Sequence, residues 1–135
     1  MIVADNSVLV YFWLPSELAG LAEAAKAQDA VWAAPILWRS EFRNVLAGYL
    51  RRKTLSEAEA NTAYRNVQKD IGANEYSVPT ERVIKLVLAS DCSAYDCEYV
   101  ALAQDLGVPL VTTDKQLVKA FPKTAVALDK FAKRK

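Results

Sequence analysis

The sequence predicts an α/β fold: a short parallel sheet of about five strands flanked by helices on both faces. Short apolar segments alternate with longer helix-period segments, and most of the helical segments carry recognisable start or stop signals. No repeat, low-complexity tract or linker breaks the order, so one domain covering residues 1–135 is expected.

Taken along the chain, Ile2–Ala4 is the first strand, and Asp5 after it is suited to cap a helix starting near Ser7. Pro15-Ser16-Glu17 opens an alanine-rich helix running to about Ala27. Val31–Ala33 is the second strand, and Pro35 starts a helix that runs to about Arg52. Ser56-Glu-Ala-Glu59 has the spacing of a capping box, and its helix stops at Gly72. Tyr76–Val78 is the third strand, with Thr80 capping a helix over residues 81–89. Ser93 caps the next helix, which ends at Gly107-Val-Pro109. Pro109–Val111 and Ala125–Ala127 are the last strands, separated by a helix from near Asp114 to before Pro122. The tail from Lys130 to Lys135 reads as a frayed, soluble end.

Composition removes several kinds of chemistry. With 53% hydrophobic and 24% charged residues the chain has a globular balance, and its net charge of +1 gives no global field for a nucleic acid or membrane. The absence of histidine excludes Ser-His-Asp triads, Cys-His dyads and most zinc sites. Cys92 and Cys97 lack zinc-ligand partners and read as small hydrophobes in a reducing compartment. Val8 to Leu14, the longest apolar run, is too short to span a membrane, and no basic leader precedes it, so a cytoplasmic location without membrane contact is expected.

Against this background, four acids stand in or beside apolar segments: Asp5, Glu41, Asp96 and Asp114. A buried carboxylate costs several kcal/mol unless it is compensated. Each has a structural alternative, since Asp5 and Asp114 can be N-caps and Ser93-x-x-Asp96 repeats the spacing of Ser56-x-x-Glu59. Helical geometry adds weight at about 100° per residue. Trp38, Phe42, Val45 and Tyr49 form one stripe that Glu41 and Asn44 border, while Tyr95, Tyr99, Leu102 and Leu106 form another that Asp96 borders. Asp5 and Asp114 follow the C-terminal ends of strands, where open parallel sheets bind ligands.

Two carboxylates about 5 Å apart repel by roughly 3 kcal/mol at an effective dielectric near 20. A divalent cation turns that repulsion into coordination, and an all-oxygen donor set favours Mg²⁺ or Mn²⁺. Such an ion can lower the pKa of a bound water and neutralise charge on a phosphoryl oxygen. The acids therefore point to metal-dependent hydrolysis of phosphodiesters, with Ser7 and Thr112 placed to hydrogen-bond the carboxylates or a phosphate. Arg51, Arg52 and Lys53 are candidate phosphate contacts, or else cations at a helix C-terminus.

In order, Val3-Ala-Asp5-Asn-Ser7-Val-Leu-Val, Ser40-Glu41-Phe-Arg-Asn44-Val-Leu, Ser93-Ala-Tyr-Asp96-Cys-Glu-Tyr-Val-Ala-Leu-Ala and Pro109-Leu-Val-Thr112-Thr-Asp114 span nearly the whole chain. Together they resemble the PIN-domain ribonucleases, most closely the VapC toxins of bacterial toxin–antitoxin pairs. The resemblance implies that Asp5, Glu41, Asp96 and Asp114 carry the metal site, supported by Ser7, Asn44 and Thr112. It implies Mg²⁺- or Mn²⁺-dependent cleavage of RNA, a homodimer, and silencing by a cognate antitoxin. Some relatives carry a further acid just after the last motif, whereas Lys115-Gln-Leu-Val118 offers none, which leaves one- and two-metal schemes open. Asn6 departs from the small residue frequent at that position.

Four other readings are weaker. A haloacid-dehalogenase-like phosphatase needs Asp-x-Asp after the first strand, where Ser7 stands, and a receiver domain needs paired acids there. A non-catalytic metal- or partner-binding module, or an RNA-processing nuclease outside a toxin–antitoxin pair, keeps the acids and changes the role.

Overall fold

The computed structural model describes residues 1–134. The described residues contain β1 (Ile2–Ala4), α1 (Asn6–Trp13), α2 (Ala19–Gln28), β2 (Trp32–Pro35), α3 (Trp38–Arg51) and α4 (Glu57–Ile71). They continue through β3 (Glu75–Tyr76), α5 (Thr80–Leu88), α6 (Ala94–Leu106), β4 (Leu110–Thr112), α7 (Lys115–Ala120), β5 (Ala125–Ala127) and α8 (Leu128–Ala132). The strands form one five-stranded sheet in the order β3-β2-β1-β4-β5, and every neighbouring pair is parallel.

Strand alternation sorts the core into two layers. Ile2, Ala4, Trp32, Ala34 and Val111 face a cluster with Val8, Leu9, Phe42 and Val67, drawn from α1, α3 and α4. Val3, Ala33 and Leu110 face the other, with Val83, Tyr99, Leu102 and Leu117 from α5, α6 and α7. Both faces of the sheet are thus covered, as a parallel sheet requires. The chain runs outward from β1 to β3, then crosses back to place β4 on the other side of β1. The seam between β1 and β4 is therefore the topological switch point, and a crevice opens beyond its C-terminal end.

Several boundaries differ from the sequence expectation. The second strand extends to Pro35, and α3 starts at Trp38, because Pro35 still packs as a buried strand residue beside Tyr76. The third strand is Glu75–Tyr76, earlier and shorter than residues 76–78. The alanine-rich helix begins at Ala19 rather than at Pro15-Ser16-Glu17, because Ser16 Oγ accepts from the Leu18 amide at 3.1 Å in a local turn. Thr80 is the first residue of α5 rather than its cap, a place taken by Pro79. The tail folds as α8, with Leu128 and Phe131 buried, while Lys135 lies outside the described residues. Periodicity did not announce so short a helix, which is held by packing against α2.

Candidate active site

Asp5 is set by the sheet. Its amide donates to Val111 O at 3.1 Å, which carries the β1–β4 pairing one residue past β1. The chain then turns into α1, with Asp5 as N-cap and its Oδ1 accepting from the Asn6 amide at 2.7 Å. Oδ2 accepts from Thr112 Oγ1 at 2.6 Å and from Ser7 Oγ at 3.3 Å. The same Thr112 oxygen accepts from the Asp114 amide at 3.0 Å, and Ser7 Oγ accepts from the Thr113 amide at 3.5 Å. One buried threonine thus ties together the strand ends that deliver Asp5 and Asp114. Asp114 also caps α7, its Oδ1 accepting from the Gln116 and Leu117 amides.

Glu41 arrives from α3. That helix is fixed at its start by Trp38 Nε1 and by a bidentate Arg39 guanidinium, both donating to Glu75 on β3 at 2.6–2.9 Å. Trp38 and Phe42 anchor its buried face, which turns Glu41 toward α6. There the Tyr99 hydroxyl donates to Glu41 Oε1 at 2.7 Å. A cavity of about 360 Å³ lies between α1 and α3 and is lined by Asp5, Ser7, Glu41 and Asp114 among others. Asp96, in the first turn of α6, is near enough for its charge to act on both Asp5 and Glu41.

The electrostatics separate these acids from ordinary caps. Burial pushes the Asp5 carboxyl up against the pull of Thr112, Asn6 and Ser7, and Asp96 adds to the rise. Glu41 is raised by burial and by Asp5, Asp96 and Glu98, with Tyr99 opposing. Asp96 is raised by burial and by Asp114, with Ser93 opposing. Glu59, which shares the spacing of Asp96 behind a capping serine, completes its capping box and is lowered by its hydrogen bonds to Ser56. The same local motif therefore has two environments. Behind Ser93, the serine caps the Asp96 amide at 3.1 Å, and burial together with the Asp114 charge outweighs the pull of Ser93 on the carboxylate.

Among the described residues, no three His, Cys, Asp or Glu side chains are gathered closely enough to coordinate one ion as they stand. Glu41 is turned to Tyr99 and Asp114 to its own helix. The donor chemistry nevertheless suits a hard divalent cation: the acids offer only oxygen, and burial and like charge raise three of their carboxyls. Asn44 is exposed on α3, one turn beyond Glu41. Arg51 ends α3, Arg52 caps it with its guanidinium 4.9 Å over the Tyr49 ring, and Lys53 adopts φ 58°. Arg51 lies ten helical steps on from Glu41, about 15 Å along the axis.

Sequence reasoning missed Tyr99 and Glu98. By spacing Tyr99 belongs to an apolar stripe, though a buried tyrosine generally needs a partner for its hydroxyl. Glu98 is a half-buried acid in the same apolar run, raised by burial and acting on Glu41.

Thr112→Val is expected to lower stability by about 1–3 kcal/mol near neutral pH, because it strips a buried donor from the Asp5 carboxylate. Thermal melts at neutral and acid pH check this. The loss should shrink once Asp5 is protonated, and an equal loss at both would mean that the threonine acts through packing.

The PIN domain family model matches residues 2–122. Ribonuclease VapC3 from Pyrobaculum aerophilum is 31% identical over 124 residues, covering 90% of this chain and 95% of that protein. The crystal structure of PAE2754, also from Pyrobaculum aerophilum, superposes with a TM-score of 0.75 at 21% identity, over 97% of this chain and 92% of that one.

Proposed function

The chain belongs to the PIN-domain family, and from that premise we propose that it is a Mg²⁺- or Mn²⁺-dependent endoribonuclease of the VapC type. The observation that supports this reading is that Asp5, Glu41 and Asp114 line one cavity, with Asp96 near enough for its charge to act on Asp5 and Glu41 and with the carboxyls of Asp5, Glu41 and Asp96 raised by burial and by like charge. When bound, a hard divalent cation would supply an activated water and neutralise charge on the phosphodiester. Asp5 and Asp96 would hold it, with Glu41 and Asp114 joining by turning from their present partners. Thr112 and Ser7 would keep Asp5 fixed, so that its oxygens need little reorganisation on loading. Tyr99 would release Glu41 as the ion loads, its hydroxyl holding that carboxylate in the metal-free protein.

The relative's name brings with it the expectation of an RNA substrate and an antitoxin partner. We extend both to this chain, together with a homodimer and a cytoplasmic setting. No helix of the described residues is long and apolar enough to cross a membrane.

Incubating total cellular RNA with the pure protein tests the activity, with Mg²⁺ or Mn²⁺ against EDTA. Discrete fragments that require the metal are expected, and intact RNA under every condition would count against catalysis. The basic end of α3 gives a second measurement. Neutralising Arg51 and Lys53 is expected to weaken RNA binding and to flatten the slope of log affinity on log salt by about 0.7 for each lost phosphate contact. An unchanged slope would return those cations to the helix C-terminus they also serve.

A further inference from the structure

The crevice continues beyond the acids. Its cavity is also lined by Asn6, Val10 and Tyr11 of α1 and by Val45 of α3. Asn6 and Val10 lie one turn apart, and Val45 lies one turn beyond Glu41, so the apolar wall adjoins the carboxylates on both helices. Asn6 Oδ1 is buried with no hydrogen-bond partner. Folded proteins rarely leave such an acceptor unmet, and the exceptions call for a specific explanation. An aromatic ring, aliphatic walls and an unmatched amide in one cavity are the features by which proteins hold an unpaired base: stacking on its face and hydrogen bonding to its edge.

We propose that Tyr11, Val10, Val45 and Asn6 form a nucleobase subsite, which seats a base of single-stranded RNA next to the phosphodiester at the acids. The inference rests on the ribonuclease reading and adds the means by which the enzyme selects its cutting position. Tyr11 supplies stacking, which every base accepts. Asn6 supplies discrimination once its enclosed amide turns into the cavity, because its acceptor is then matched only by a base that presents a donor at that place.

The test is the binding of labelled poly-A, poly-C and poly-U RNA to protein carrying Asp96→Asn, followed by fluorescence anisotropy in EDTA so that no cleavage intervenes. Adding Tyr11→Ala is expected to weaken binding about tenfold, as the loss of one stacked base does, and Tyr11→Phe to restore it. Adding Asn6→Ala should bring the three affinities together while leaving the melting temperature unchanged or raised. Should Tyr11→Ala fail to fold, Tyr11→Leu keeps the bulk without the ring and is read in its place. The subsite is overturned if loss of the ring leaves affinity unchanged, if phenylalanine fails to rescue it, or if Asn6→Ala leaves the affinity ratios as they were. Cleavage by the parent protein separates the two readings. Ring-dependent binding in a protein that cuts no RNA would retain the subsite and remove the nuclease. Metal-dependent cutting with ring-independent binding would do the reverse.

Discussion

Asp96→Asn is expected to abolish RNA cleavage, by more than the ~10–100-fold that loss of an outer-shell partner costs a metal site, with the fold intact or slightly more stable. The expectation follows from what the side chain does and does not hold. The Ser93 cap of α6 is made to the Asp96 amide, which asparagine keeps. The Asp96 carboxylate adds to the rise of Asp5 and Glu41, and is itself raised by burial and by Asp114 against the pull of Ser93. Neutralising it relieves repulsion and removes a proposed metal ligand. Glu59→Ala is the matched control, since Glu59 stands at the same position behind a capping serine and completes a capping box. It should lower the melting temperature and leave cleavage unchanged. The reverse pattern, with Asp96→Asn destabilised and still cutting, would show that Asp96 is structural.

How much of this was legible in the sequence depended on the range of each interaction. Asp5 and Asp114 could be placed because a strand end and a helix start are local signals, and parallel α/β order puts such ends on one side of the sheet. Glu41 and Asp96 could be suspected from helical spacing, since an acid bordering an apolar stripe is visible within a dozen residues. What joins them could not be read. The bond from Tyr99 to Glu41 spans 58 residues, and that from Thr112 to Asp5 spans 107. The capping-box spacing is ambiguous for the same reason: Ser56 and Ser93 have alike local chemistry, and burial together with the company of other acids separates Asp96 from Glu59. In the sequence Asn6 is only a departure from a small residue, because its unmatched oxygen is a property of the folded protein.

Without metal, the acids at the switch point are expected to weaken the fold as pH rises. Asp5, Glu41 and Asp96 have folded-state pKa values above their ordinary 3.8, 4.5 and 3.8. A carboxyl raised in this way contributes stability that is fully present below its unfolded pKa and is lost as pH climbs through the folded one. Asp29, Glu59 and Glu75 are lowered and act in the opposite sense, gaining stability over a similar acidic range. The informative quantity is therefore the melting temperature of Asp5→Asn minus that of the parent. This difference should become more positive from about pH 4 toward neutral, as the parent's Asp5 ionises and the variant's amide does not. Mg²⁺ or Mn²⁺ at roughly a hundred times its dissociation constant should stabilise the neutral-pH parent by about 2.7 kcal/mol, or about 10 °C for a chain of this size. The same addition should do little at about pH 4, where protons compete for the carboxylates, and little to Asp5→Asn at any pH. Equal stabilisation of parent and variant would place the ion elsewhere on the protein. A flat difference curve would mean that Asp5 is held as a hydrogen-bonded cap, with no charge to relieve.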